Sequence, residues 1–393
     1  MNDKTAIEHY GFNRSLQEKA RKYHYEKLLM SLFQYGFLFM AGFVTLKAGI
    51  SHGLKIVVLG YASDSSLVVA LYFFIGFLFF WLITLPFDYY KGYVIERKFD
   101  LSTQSFRSWI SDQVKMLILR MVLLMFIVQG VYFALRMFAP YWWIITWIFV
   151  SGGMVVVSYI APVVIMPLFF KYPPLKETSL IGRLTNLAKK AGIRVVGVFE
   201  MRAGVKTKKA VGALAGIGNT RRIILSDTLL TNYTHDEIEG VIGHELGHHV
   251  FHHIGKMLIM FSVMMLVAFY VIDLVLRASV SYFGFSGIDD IASLPLLALT
   301  LAMMFMVATP IMNTLSRYAE GQADQYELEI VNNPDAFITC MVKLCDQNLR
   351  HADPHPLIEF MLYDHPSGKH RVQRALNYKK TQNVQILGIQ PRH

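Results

Sequence analysis

The chain has 393 residues, of which 54% are hydrophobic and only 17% charged, with a mean hydropathy of +0.39. Soluble domains carry about 25% charged residues, so the composition excludes an ordinary soluble globular protein and calls for a membrane protein. The net charge of +10 does not argue for nucleic acid in such a chain, because Lys and Arg accumulate on the cytoplasmic side of polytopic proteins.

Residues 1–27 are polar and mixed in charge, with no signal-peptide pattern. Apolar runs at 28–46 and 67–86 are each near the twenty residues that cross a bilayer. A polar segment at 88–115 reads as a loop, and further spans are predicted at about 116–137 and 141–165. Tyr141, Trp142 and Trp143 open the fourth, as aromatic residues do at a membrane interface. Residues 1–170 thus form a membrane region with four spans. From 171 the chain turns more polar and reads as a second domain running to 393. It begins with a helix over 175–191, closed by Gly192. Strands are predicted at 195–201, 213–217 and 222–225, with Gly218-Asn219 as the turn between the last two. Two more spans follow, at about 257–276 and 291–311, and then a helical segment with a polar tail. Cys340 and Cys345 fit no metal or redox spacing and are expected to be reduced and structural.

Six spans place both termini and the polar segments on one side. The other side receives Lys47, Lys55, Arg136 and Arg277, four of the 38 basic residues. The positive-inside rule then makes the polar side cytosolic. The expected location is a bacterial inner membrane, or the endoplasmic reticulum in a eukaryote.

The chemistry is concentrated in Gly243-His244-Glu245-Leu246-Gly247-His248-His249. The spacing H-E-x-x-H makes sense only on a helix, where residues i and i+4 share a face. His244 and His248 can then point two imidazoles at one Zn²⁺, with Glu245 placed to take a proton from water. Thr234 is the expected N-cap, with Asp236, Glu237 and Glu239 at the positive end of the helix dipole. Helical geometry turns His249 and His252 off the metal face, and these two and His253 are expected at the membrane interface rather than on the metal.

Two histidines leave a catalytic zinc site one protein ligand short. Glu320 and Asp324, four apart beyond the sixth span, share a helical face with Arg317 one turn earlier. Glu320 suits a ligand and Asp324 suits a carboxylate that orients a ligand histidine. Spacing alone leaves open an ordinary charged helix face. A transporter or scaffold with structural zinc would close its site with four protein ligands and would not need Glu245 beside His244.

Taken together, HELGHH at 244–249, SRYAEGQAD at 316–324 and DHPSGKHR at 364–371 resemble the type I CAAX prenyl proteases. The similarity extends to LPFDYY at 85–90, APVVIMPLF at 161–169 and GNTRRIILSD at 218–227, and covers about residues 67–378. The resemblance implies a mainly α-helical, polytopic membrane protein carrying a gluzincin-like zinc protease domain with a small β-sheet. It implies His244, His248 and Glu320 as zinc ligands, Glu245 as the base and Asp324 behind a ligand. It also implies that His365 and Arg371 hold the substrate or its developing oxyanion, which both could do through charge-assisted hydrogen bonds. From the residues alone, His365 reads as a turn residue before Pro366.

The resemblance further implies that Gly212 to Gly216 form a strand edge gripping an extended peptide, so Gly212, Ala213 and Leu214 are expected at the substrate, with Asn313 and Arg317 nearby. Implied partners are peptide or protein substrates, including prenylated C-termini from which three residues are removed, and the lipid bilayer. A membrane quality-control protease indifferent to prenylation would show the same metal site. The chain departs from the family's pattern at Val211-Gly212, where Asn-Ala is common, and at Gly321, where an aromatic is usual. Six spans are counted where seven are more frequent.

Overall fold

In a computed structural model, residues 8–216 and 218–386 are described. The start of the polar lead, the last residue of the strand expected at 213–217, and residues 387–393 of the tail lie outside the described residues. Among the described residues, six helices are long and apolar enough to cross a membrane, and the molecule is mostly helical with one small sheet.

The spans start or end well beyond the apolar runs. α1 covers Arg14–Lys47, with Asn13 capping its first turn by accepting from the Leu16 amide. A short apolar helix α2, Ile50–Leu59, turns the chain back. α3, Ser65–Tyr89, continues through a wide turn at Tyr90–Val94 to Lys98. α4 spans Phe106–Met137, and α5, Trp142–Ile160, continues through a second wide turn at Ala161–Ile165. The segment 88–115 is therefore mostly helix, and only 99–105 is loop. That loop docks on the second domain: the Thr103 amide donates to the Lys206 carbonyl and the Lys208 amide to that of Leu101.

In the second half, α6 covers Thr178–Lys190, later than predicted. Pro174 bridges to Phe199 and the Leu175 amide donates to the Val198 carbonyl, so these residues pair with a strand instead. The sheet consists of β1 (Val198–Met201), β2 (Gly212–Ala215) and β3 (Arg222–Ser226), in the order β1-β3-β2. β2 pairs antiparallel with β3 across a 3-10 turn at Gly218–Thr220, and its other side is an edge.

A short α7 (Asp227–Asn232) leads into α8, His235–Val250, which carries H-E-x-x-H. Its start is a capping box: Thr234 Oγ1 accepts from the Glu237 amide, and Glu237 accepts from the Thr234 amide. α8 does not run on into the fifth span. His252 at φ 55 breaks the chain, and α9, His253–Phe283, begins anew. α10 is one helix from Leu294 to Val331, joining the sixth span to the Glu320 segment. α11 (Pro334–Gln347), α12 (Pro356–Leu362) and α13 (Gly368–Ile386) complete the chain.

Two cores hold this together. Tyr72, Tyr132, Trp142 and Ile272 are buried among the spans. Leu180, Leu184, Ile223, Leu225, Ile242 and Leu246 fill the space between α6, the sheet and α8. The crossing of α8 and α10 positions the site. A Cβ on Gly247 would lie 3.0 Å from the Ala323 Cα, and one on Gly243 2.8 Å from a Val331 methyl. Only glycines let these two backbones approach so closely. Cys340 and Cys345 are free and buried, as expected.

Candidate active site

His244 and His248 project from one face of α8, and Glu320 meets them from α10. The His244 and His248 Nε2 atoms lie 3.1 Å apart, and Glu320 oxygens lie 3.2 Å from the first and 3.3 Å from the second. His244 Nδ1 donates to Asp324 at 3.0 Å, which leaves its Nε2 to face His248 and Glu320. Two imidazole nitrogens and a carboxylate thus converge, each within 3.3 Å of the others. Glu320 Oε2 is buried without a hydrogen-bond partner. Donors about 2.0–2.1 Å from one tetrahedral ion would stand about 3.3 Å from one another. The observed spacings match, so the three residues fit a metal ion. Burial acts to lower the His244 pKa, yet hydrogen bonds to Asp324 and Glu320 raise it to about 10. The pocket favours positive charge.

Both histidines are held from behind. His248 Nδ1 is 3.0 Å from His253 Nδ1, and His253 Nε2 is 3.0 Å from Gln322 Oε1. A single tautomer series satisfies this chain: His248 donates to His253, which donates to Gln322. His253 is therefore a buried support for a candidate ligand. Because the helix breaks at His252, no helical spacing in the sequence could have placed it there. His249 does turn away from the metal, and donates to the Leu214 carbonyl at 3.2 Å.

Glu245 is half-buried beside the candidate ligands, on the wall of the cavity. Burial pushes its carboxyl above the ordinary range, while His244, His248 and a hydrogen bond from the Leu214 backbone pull it back. His365 comes in from the segment after α12. Its Nε2 lies 3.3 Å from Glu320 Oε1 and its Nδ1 2.8 Å from Asp364.

Arg371 differs from the expectation. It is only 7% exposed and lies on Asp324, which is fully buried. Its Nη2 donates to Asp324 at 2.5 Å and its Nε to both oxygens at 3.1 Å. Burial opposes its charge, and Asp324 more than compensates, holding the guanidinium above its ordinary pKa. With Nε and Nη2 on Asp324, Arg371 braces the carboxylate behind His244, and it also forms part of the cavity wall. Arg374 adds a bond to Asp324 at 2.7 Å. The Arg371-x-x-Arg374 spacing was the available signal for it. A Cβ on Gly321 would lie 3.0 Å from an Arg374 nitrogen, so the missing aromatic there makes room for this arginine.

Asn313 and Arg317 also have other work. Asn313 donates to the Met361 carbonyl, and Arg317 to those of Glu359 and Tyr363 at 2.9 and 2.6 Å. They pin the segment that delivers His365. At the edge strand, Ala213 faces β3 and the Leu214 backbone is bonded to Glu245 and His249. Gly212 is the strand residue of the three that lines the open cavity, and a Cβ there would sit 2.6 Å from Val241. The cavity measures about 1350 Å³ and runs from His244 and Glu245 along Gly212 to the first turns of α1 and the 350–371 segment.

Fold and site together define a multi-pass membrane metalloprotease of the H-E-x-x-H type with a distal glutamate. The chain belongs to peptidase family M48: that family's profile matches residues 174–379, and the CAAX prenyl protease N-terminal profile, described as five membrane helices, matches 7–171. In that region the structure has four long helices and the short α2. The chain is 33% identical to an uncharacterized metalloprotease, YhfN, of Bacillus subtilis, over 75% of this chain and 70% of that one. It is 28% identical to CAAX prenyl protease 1 of Saccharomyces cerevisiae, over 76% and 69%. The crystal structure of S. mikatae Ste24p superposes with a TM-score of 0.83 at 24% identity, over 93% of this chain and 90% of that one, which shows the shared fold.

Proposed function

We propose that the chain is a zinc endopeptidase that cuts near the C-terminus of its substrates, releasing the last three residues of prenylated CAAX proteins at the cytosolic membrane face. The observation that carries this reading is the meeting of His244, His248 and Glu320 with Glu245, at a strand edge inside a cavity walled by a membrane helix. Zinc, held by His244, His248 and Glu320, would polarise the scissile carbonyl and acidify water. Glu245 takes the proton from that water and passes it to the leaving amine, and the Leu214 backbone keeps its carboxylate aimed. His365 Nε2 donates to the oxygen that becomes negative in the tetrahedral intermediate. Arg371 and Arg374 hold Asp324, which fixes the His244 ring.

Orientation rests on the positive-inside rule, with the four outlying cations on the opposite side. Lys47 meets Tyr282, Lys55 pairs with Asp290, Arg136 reaches the Ser65 carbonyl and Arg277 that of Ala139, all at span ends remote from the site.

A prenyl-independent protease is the second reading. The observation behind it is that five cations, Arg14, Arg21, Lys22, Arg350 and Lys369, stand in the cavity wall, where a polar peptide can meet them. One assay separates the two: cleavage of a single peptide with and without a prenyl group, before and after chelation. The first reading requires chelator-sensitive cleavage and a clear preference for the prenylated form; equal rates on both support the second.

The proposed part of His365 has its own test. His365→Ala is expected to lower kcat by about 10²–10³-fold, the usual cost of one oxyanion donor, with metal content unchanged. A variant with wild-type kcat would remove His365 from the reaction.

A further inference from the structure

β2 offers its outer edge through Ala210, Gly212 and Leu214, because Val211 faces the other way and accepts from the Ser226 amide. Most of that edge is already taken. The Leu214 backbone is bonded to Glu245 and to His249. At the other end, the Asn348 side chain imitates a neighbouring strand: its Oδ1 accepts from the Ala210 amide at 2.9 Å and its Nδ2 donates to the Ala210 carbonyl at 3.2 Å. Between these two stops Gly212 turns its backbone to the cavity, with no neighbouring strand on that side among the described residues. A peptide pairing here gains one residue of ladder and then meets Asn348.

Asn348 is held in place by strain. α11 ends in a Schellman turn, with the Arg350 amide donating to the Cys345 carbonyl at 2.8 Å and the Leu349 amide to that of Asp346 at 3.4 Å. The left-handed position of that turn suits glycine, yet it is occupied by Leu349 at φ 49. Leu349 stays there because its side chain is buried with Ala20, Tyr23, Ile95, Phe99 and Leu101. A strained leucine anchored by its own burial is an expensive way to end a helix, and such positions cluster at functional sites. It fixes Asn348 on one side and Arg350 on the other.

Arg350 lines the same cavity, two residues beyond the stop, and its side chain is exposed. Among the described residues no carboxylate lies within ion-pairing distance of it. We propose that Arg350 is the subsite for the C-terminal carboxylate of the substrate, with Asn348 as the stop that limits how far the cleaved tail extends. The inference rests on the C-terminal cleavage proposed above. A peptide with its carboxylate at Arg350 runs antiparallel to β2, passing Gly212 on its way from the candidate metal site. Three extended residues cover about 10 Å, so a short tail fits between cleavage point and stop while a longer chain collides with Asn348. The guanidinium fork is the group suited to a terminal carboxylate.

The test uses the full-length protein in detergent or vesicles and one peptide in three forms. The first ends three residues past the scissile bond in a free carboxylate, the second in an amide there, and the third continues for ten more residues. Wild-type protein should prefer the acid to the amide by about 10–100-fold in kcat/KM, the scale of a charge-assisted contact, and should cut the extended form poorly. Arg350→Ala should erase the preference by slowing the acid alone, Arg350→Lys should restore part of it, and Arg21→Ala should leave it unchanged. Asn348→Ala should admit the extended form. Equal wild-type rates on acid and amide, with the extended form still refused, would overturn the carboxylate subsite and leave C-terminal cleavage standing. A preference that survives in Arg350→Ala, or vanishes in Arg21→Ala instead, would overturn it as well. If wild type cuts the extended form as well as the acid, C-terminal cleavage itself falls and takes the subsite with it.

Discussion

Glu245→Gln is expected to reduce peptide hydrolysis by about 10²–10⁴-fold, the range for loss of a positioned general base, while metal content stays at the wild-type level. The amide keeps the shape of the side chain and leaves His244, His248 and Glu320 untouched. It cannot accept the proton of the attacking water. Glu245 is half-buried beside the candidate ligands and lines the cavity, so its carboxylate is placed where a substrate's water would stand. Activity within a few-fold of wild type would take Glu245 out of the mechanism. Loss of metal from the variant would instead give Glu245 a structural part in the site.

Arg371→Ala should act on the metal site and on stability rather than on substrate affinity. Removing one partner of a buried pair costs about 3–5 kcal/mol, and the lower figure applies because Arg374 still reaches Asp324. With Asp324 less constrained, His244 loses its fixed orientation, and metal affinity should fall by about 10–100-fold. Lysine should rescue poorly, since a single ammonium cannot reproduce the bonds that Nε and Nη2 make to both oxygens. Thermal unfolding and metal titration check this directly. Wild-type metal affinity together with a raised KM confined to peptides with a free carboxylate would return Arg371 to the substrate.

The contrast between Arg371 and Arg350 shows how far the chain alone could be read. Both are single arginines in polar stretches, and nothing in their neighbours says which faces a peptide. Arg371 was drawn to the substrate by the family's motif, whereas in three dimensions Asp324 occupies its fork. Arg350 carries no motif. Its exposure in the cavity depends on where α11 ends, and that end is fixed by a leucine in a conformation no propensity would assign. Likewise, Asn313 and Arg317 share a helical face with Glu320 and so looked directed to the substrate. Their donors are satisfied by carbonyls of residues 359–363, more than forty positions away.

What the sequence determined by itself is what periodicity and local spacing can encode. Twenty-residue apolar runs can be buried only in a bilayer, so the six spans were legible from composition alone. The i, i+4 relation put His244 and His248 on one face, and Thr234 as N-cap marked where that helix begins. The same rule put Glu320 and Asp324 on one face of a second helix, and only the family resemblance pointed to them as part of the site. What only the tertiary structure decided is how these helices meet. Gly243 and Gly247 allow α8 and α10 to cross closely, and that crossing brings Glu320 to the two histidines. His253 reaches His248 because the chain turns at His252, and Asn348 closes the strand edge because α11 stops beside Ala210. Each of these is a contact between segments whose separation along the chain carries no periodic signal, and packing alone selects it.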